Sequence, residues 1–430
     1  MPKRIIPVAS GKGGVGKTTF ALNFALALAQ RAPTVLVDLD TATSSVRGAL
    51  AMPVAKDLYH FHRRGERLAD CITRLDAGFD PAGRCRDFGF VAGPKHYLEE
   101  LANPGPELRR RLAAEINTLP ADYVVLDLRA GIDPAVADFL PYTNSGVLVF
   151  TPELPQATSA AADIVKAIVF RSLRAIFAPE SQVWTLPGIA PARDLVPDLL
   201  ARAEDSYDDS VPNLDAFLAE LDALLDERGL VDALRSLFAD FRVHYVLNQF
   251  DGIERGHEKA VVPFVRDLAE QVTADLSLTQ LGWIVQDAEL HRANCSGRPY
   301  LLASETKPAP RAAAATRTER DVFAELDSLR SAALGLDRRS RQRPTTTRSE
   351  KPSAGVDALL GEQLDSLRSM FTDRRQDSVR ENFTYCVFRA LNLMQPPRLP
   401  TEFGMTQLAP PEQLVRWLLR RMPGLAPTPA

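Results

Sequence analysis

Along the first three hundred residues, short consecutive runs of β-branched and aliphatic residues alternate with longer segments whose apolar positions recur every three or four residues. The runs at 5–9, 34–39, 88–92, 123–128, 146–150, 243–249 and 281–285 predict strands. The segments 18–30, 108–116 and 157–174 predict helices. Tyr123-Val-Val-Leu-Asp lacks polar alternation, as expected of a strand covered on both faces. Strands and helices in this order predict an α/β fold with a doubly wound, mostly parallel sheet.

The rhythm breaks twice. Residues 179–240 are rich in acids (Glu204, Asp205, Asp208, Asp209, Asp215, Glu220, Asp222, Asp226, Glu227), with a helical pattern at 214–225. This reads as an insertion at the sheet's periphery with a solvated acidic face. Beyond residue 305, Lys307-Pro-Ala-Pro-Arg-Ala opens a linker (306–355) that holds a helical run at 318–334 and an Arg/Ser/Thr/Pro-rich stretch. A small helical C-terminal module (356–430) follows, with helices expected at 356–371, 378–393 and 412–422. Leu326-Asp-Ser-Leu-Arg-Ser recurs once as Leu364-Asp-Ser-Leu-Arg-Ser, too short a repeat to make a solenoid.

The 430 residues are 45% hydrophobic and 25% charged, with net charge −4, so the chain is neither disordered nor coated in basic charge for nucleic acid. Cys71, Cys85, Cys295 and Cys386 lie far apart with no CxxC spacing, which fits a reduced cytoplasmic protein and opposes a zinc or iron–sulfur site. No apolar run is long enough to span a membrane. His60 and His62, flanking Phe61, are expected at the surface and Cys386 in a core.

The segment Gly11-Lys12-Gly13-Gly14-Val15-Gly16-Lys17-Thr18-Thr19 follows the first strand and opens the first helix. That is the context a phosphate-binding loop requires, and it predicts a P-loop NTPase. Its glycines let backbone N–H groups wrap a polyphosphate at a helix N-terminus. Lys17 reaches the β- and γ-phosphates, and the Thr18 hydroxyl is placed for Mg²⁺.

Lys12 makes the loop resemble the deviant Walker A motif of the ParA/MinD family. The resemblance implies that Lys12 reaches across a nucleotide-sandwich homodimer to the partner's ATP, supplying charge to the developing phosphate anion. Val35-Leu-Val-Asp38-Leu-Asp40 ends the second strand with two carboxylates, which alternation points to one face. By the same resemblance, Asp40 orients the attacking water. Tyr123-Val-Val-Leu-Asp127-Leu-Arg129-Ala130-Gly131 is similar to the family's Walker B and second switch, with Asp127 in the Mg²⁺ shell. Arg129 stands where the family has a small residue or proline, and Thr41-Ala-Thr-Ser-Ser departs from the usual first switch. Asn248 in Tyr245-Val-Leu-Asn248-Gln249 matches the adenine-binding residue, and its paired donor and acceptor suit ATP over GTP.

The similarity spans about residues 1–303 without the acidic insertion, and 157–174 after Thr151-Pro-Glu brings it nearer MinD and the flagellar-positioning FlhG proteins than DNA-partitioning ParA. It implies a Mg-ATP-dependent switch that positions or partitions a cellular assembly. A DNA-partitioning ATPase, or a regulatory scaffold that binds nucleotide with little hydrolysis, is the alternative. A bacterial tyrosine kinase on this core would need a C-terminal tyrosine cluster, and the tail has only Tyr385. Partners are expected through the C-terminal module. The basic run 338–351, with six cations against Glu350, and the Trp417-containing helix 413–422 offer contact with DNA or a membrane surface. Packing of that helix on Phe383, Phe388 and Leu391, and a merely solvated linker at 338–351, are the preferred readings of these two features.

Overall fold

The computed structural model describes residues 3–41, 44–205, 207–225, 228–303, 353–372, 378–394, 408 and 410–422. Its strands are β1 Arg4–Ala9, β2 Thr34–Asp38, β3 Thr73–Arg74, β4 Phe88–Val91, β5 Tyr123–Asp127, β6 Asn144–Phe150, β7 Arg242–Phe250 and β8 Ser277–Val285. They form one sheet in the order β3-β4-β2-β5-β1-β6-β7-β8. Every pairing is parallel except β3 with β4. All seven expected strands are present. β3 adds an antiparallel edge, and two residues are too few to leave a periodic signal.

The longer helices are α1 Lys17–Ala29, α2 Pro106–Thr118, α3 Pro155–Ile176, α4 Val196–Glu204, α5 Leu214–Leu224, α6 Arg228–Ala239, α7 Val262–Gln271, α8 Ala288–Cys295, α9 Ser353–Thr372, α10 Val379–Leu393 and α11 Pro411–Arg420. The central strands β1, β2, β5 and β6 are buried almost throughout, which explains their unbroken apolar runs. Within the insertion, α4 and α5 bury Leu199, Leu214, Phe217 and Leu221, while Asp205, Asp209, Asp215 and Glu220 face solvent. The acidic face is therefore the outer side of helices whose apolar side joins the core. His60 is half-buried, and its side chain caps the short helix Leu58–Arg64 together with Asp57.

The C-terminal helices lie on the sheet and share its core. In α9, Gln363 accepts a hydrogen bond from the Tyr245 hydroxyl at 2.8 Å and donates to the Leu278 carbonyl at 3.3 Å. α10 crosses β8 and α1, with Cys386 buried against Gly282, where even a Cβ would stand 2.8 Å from the Cys386 sulfur. α11 packs on α3, on the turn Gln182–Thr185 and on α6. This corrects the expected seating on Phe383, Phe388 and Leu391; Phe388 is 52% exposed. Leu414, Trp417 and Leu418 are buried, and Arg421 stacks on the Trp417 ring while reaching Ser236 and Asp240. The apolar side of 413–422 is thus spent inside the protein and is not free for a lipid surface. The other two sequence features, 338–351 and the first copy of the six-residue repeat, lie outside the described residues; the second copy is in α9.

One buried polar group costs stability. His244 in β7 is fully buried, and neither ring nitrogen has a hydrogen-bond partner. Burial, helped by the nearby Arg242 charge and opposed by a Gly146 backbone contact, lowers its pKa to about 3. The unfolded chain binds this proton near pH 6.5 and the folded chain does not, so stability falls as pH drops from about 6.5 to about 3. His244→Leu is expected to flatten that part of the stability–pH curve in denaturant melts; an unchanged slope would refute it.

Candidate functional site

The site lies at the carboxyl ends of β1, β2 and β5, the edge where ligands of open α/β sheets bind. β1 runs into Ser10 and the loop 11–16, and α1 starts at Lys17. Gly14 and Gly16 have φ of +84° and +82°, a region that side chains disfavour. Two further constraints fix the loop. A Cβ on Gly11 would sit 2.2 Å from the Ala160 backbone in α3, and one on Gly16 would sit 2.2 Å from the Asn248 amide nitrogen. The glycines therefore serve the backbone path and its close packing at once.

The structure brings the expected residues together. Lys17 Nζ is 2.6 Å from Asp127 Oδ1, and the Thr18 hydroxyl donates to Asp127 Oδ2 at 2.7 Å. Lys17 and Asp127 are buried, so the charges are paired in a low-dielectric setting. Asn248, at the end of β7, donates from its amide nitrogen to the Val15 carbonyl at 2.7 Å and so braces the loop from below. Thr19 accepts from Asn294 Nδ2 at 2.9 Å. Lys12, Gly13 and Gly14 are exposed at the loop's tip. A cleft of about 360 Å³ beside Lys12 is bounded by Ile132, Gln156, Ser159 and Asp163. Burial pushes the Asp163 carboxyl up, Asp267 adds to this, and Lys166 and Lys12 oppose it.

Asp38 and Asp40 part company. β2 ends at Asp38, so the alternation expected to aim both carboxylates at one face stops there. Asp38 is fully buried, and it accepts from the backbone N–H groups of Asp40 (3.2 Å) and Gly93 (3.3 Å) and from the Ser44 hydroxyl (3.3 Å). Burial, with the charges of Asp127 and Asp40, pushes its carboxyl up to about 7 against the Gly93 bond and Lys17. Asp40 is half-exposed beyond the strand. Arg129 turns away from the loop: its guanidinium donates to the Ala102 carbonyl at 3.2 Å and lies 3.7 Å from Asp133.

Sequence reasoning missed three contributors. Ser10 is buried with an unpartnered hydroxyl, and its carbonyl accepts from Gly131 N at 2.8 Å, tying the loop to the segment after β5. Ala160 limits residue 11, and Asn294 holds Thr19. None of these belongs to a local motif; each meets the loop only through tertiary packing.

A glycine-lined loop at a helix N-terminus, one ammonium, one hydroxyl and one buried carboxylate form a donor set that fits a magnesium-bound polyphosphate. The unpartnered Ser10 hydroxyl beneath the loop is a further polar group beside that cradle. Lys17 would reach the phosphates, and Thr18 and Asp127 would hold the metal shell.

Fold and loop define the class, a P-loop nucleotide-binding α/β protein. The chain belongs to the CobQ/CobB/MinD/ParA nucleotide-binding domain family, whose model matches residues 6–300. Among similar proteins, an uncharacterised ATP-binding protein of Methanocaldococcus jannaschii is 28% identical over 150 residues, 35% of this chain and 54% of that protein. The flagellum site-determining protein YlxH of Helicobacter pylori is 28% identical over 165 residues, 37% of this chain and 52% of its own length. The chain thus spans about half the length of the curated relatives it matches. A solved structure of the septum site-determining protein MinD from Pyrococcus horikoshii, complexed with Mg-ADP, aligns at 15% identity with TM-score 0.40, covering 69% of this chain and 87% of that one.

Proposed function

We infer that the chain is a Mg-ATP-dependent ATPase switch of the ParA/MinD type that forms a homodimer around its nucleotide and positions or partitions a cellular assembly. The observation that carries this reading is the buried Lys17–Asp127 pair, joined by the Thr18 hydroxyl at the foot of the glycine loop, with Asp40 half-exposed at the same sheet edge. Magnesium-bound ATP supplies a phosphoanhydride whose charge builds on the γ-phosphoryl oxygens during transfer. The chain's part is positioning and electrostatics. Loop N–H groups and Lys17 hold the phosphates, Thr18 and Asp127 hold the metal shell, and Asp40 orients the attacking water.

Lys12 is the residue proposed to act on the partner subunit's nucleotide. Its exposure at the loop tip, beside an open cleft, leaves it available for that reach. Asn248 is proposed as the adenine contact in addition to its bond to Val15. Arg129, held by Ala102 and Asp133, does not intrude on the loop, which favours the ATPase over the scaffold reading. The flagellum site-determining name of the Helicobacter pylori relative supports a positioning role over plasmid partition.

The test combines nucleotide titration, phosphate release and light scattering. Wild type is expected to bind Mg-ATP over Mg-GTP, turn it over slowly and shift from monomer to dimer. Lys12→Ala is expected to bind ATP near wild-type affinity yet lose the dimer. ATP bound by wild type without phosphate release would sink the ATPase reading, and a Lys12→Ala chain that dimerises and hydrolyses normally would remove the trans-acting lysine.

A further inference from the structure

α1 is buried on almost every side: of KTTFALNFALALA all but Thr18 and Thr19 are buried, and beyond Lys17 the buried residues are apolar save Asn23. A helix of that kind needs cover on every side. Strands β1, β2 and β5 supply the inner side, and α10, which lies beyond the matched stretch 6–300, supplies part of the outer. Its contact falls on the first turn of the P-loop helix. The Phe383 ring lies 6.1 Å from that of Phe20, which in turn stacks on Phe24 at 5.2 Å. Phe20 N donates to Gly16 O at 2.9 Å, so the ring under Phe383 belongs to the residue that closes the loop into the helix.

A polar route runs parallel to the aromatic one. Arg380 of α10 donates to the Leu301 carbonyl at 3.3 Å. Leu301 N donates to Asn23 Oδ1 at 3.1 Å, and Asn23 Nδ2 donates to the Thr19 carbonyl at 2.9 Å. α10 is itself anchored: the buried Asn382 accepts from Val285 N at 3.2 Å, and Arg389 donates twice to the Gln280 carbonyl, at 3.0 and 2.8 Å. The helix is thus fixed to β8 and presses on the turn that carries Lys17 and Thr18.

We propose that α10 is a positioning element of the nucleotide site, with Phe383 and Arg380 holding the first turn of α1 so that Lys17 and Thr18 face the phosphates and metal. The proposal rests on the nucleotide-binding reading of the loop. Hydrogen bonds to phosphate tolerate only a few tenths of an ångström, so a small slide of α1 weakens several at once. Coupling of this kind is reciprocal: bound nucleotide must also tighten the seating of α10.

The experiment uses the full chain with a fluorescent ATP analogue and Mg²⁺, thermal melts, and amide exchange with and without ATPγS. Phe383→Ala is expected to raise Kd about fivefold or more, with Phe383→Leu restoring most of the loss. Phe217→Ala, in the insertion, is the control: it deletes an equally buried ring packed against Phe177 and is expected to lower Tm while leaving Kd unchanged. In wild type, ATPγS is expected to slow exchange across 379–393. An unchanged Kd in Phe383→Ala, or an equal rise in Phe217→Ala, overturns the proposal. Should Phe383→Ala fail to fold, nucleotide-independent exchange at 379–393 overturns it. Failure of wild type to bind at all would instead strike the reading of the loop itself.

Discussion

Lys17→Ala is expected to lose Mg-ATP affinity by roughly a hundredfold or more, because it truncates a buried charge that pairs with Asp127 and is proposed to hold the phosphates. Lys17 Nζ stands 2.6 Å from Asp127 Oδ1, with the two side chains 6% and 0% exposed. Removing the ammonium leaves a buried carboxylate with the Thr18 hydroxyl as its partner at Oδ2. Breaking a buried pair in this way costs about 3–5 kcal/mol of stability, so the thermal midpoint falls by several degrees as well. The two losses have separate readouts. Lys17→Met keeps the aliphatic stem and fills the space, so it recovers some of the midpoint and none of the affinity. Wild-type affinity in either variant, measured by titration with a fluorescent ATP analogue, would remove Lys17 from the phosphate site.

The contrast between Lys17 and its surroundings shows what the chain's pattern made readable. Buried parallel strands leave unbroken apolar runs, and a P-loop has fixed spacing, so seven strands and the loop were visible without a structure. Local patterning also reached Asp127, because the same run Tyr123–Asp127 is both a strand and a motif. It failed where a contact joins distant segments. Nothing near Gly11 announces Ala160, and nothing near Thr19 announces Asn294. The seating of the C-terminal helices escaped for a related reason: amphipathicity says that a helix buries a face, without saying against what. Yet the almost all-round apolarity of α1 was already a sign that a further layer must cover it.

Asp38 and Asp40 mark the opposite limit, where a motif carried more than its geometry could support. Alternation holds only while the backbone stays extended, and β2 stops at Asp38. Asp38 is then a scaffold group, since its buried carboxyl gathers the N–H groups of Asp40 and Gly93 and the Ser44 hydroxyl. Asp40 keeps its backbone in that turn while its side chain stays half-exposed.

Asp40→Ala is therefore expected to leave stability within about 0.5 kcal/mol of wild type, as truncation of an exposed side chain usually does. ATP binding should survive, because the proposed holders of the phosphates and metal are the loop, Lys17, Thr18 and Asp127, none of which changes. Phosphate release should fall by about a hundredfold or more, the typical contribution of a side chain that aligns or activates the nucleophile. Asp38→Ala should show the reverse order: a fall in thermal midpoint first, and turnover lost only in proportion to the protein unfolded. Single-turnover assays with bound ATP separate the two, since they read chemistry on protein that is folded and loaded. If Asp40→Ala releases phosphate at the wild-type rate under those conditions, the water-orienting role belongs to another group. The half-exposed position beyond β2 would then be an ordinary surface carboxylate.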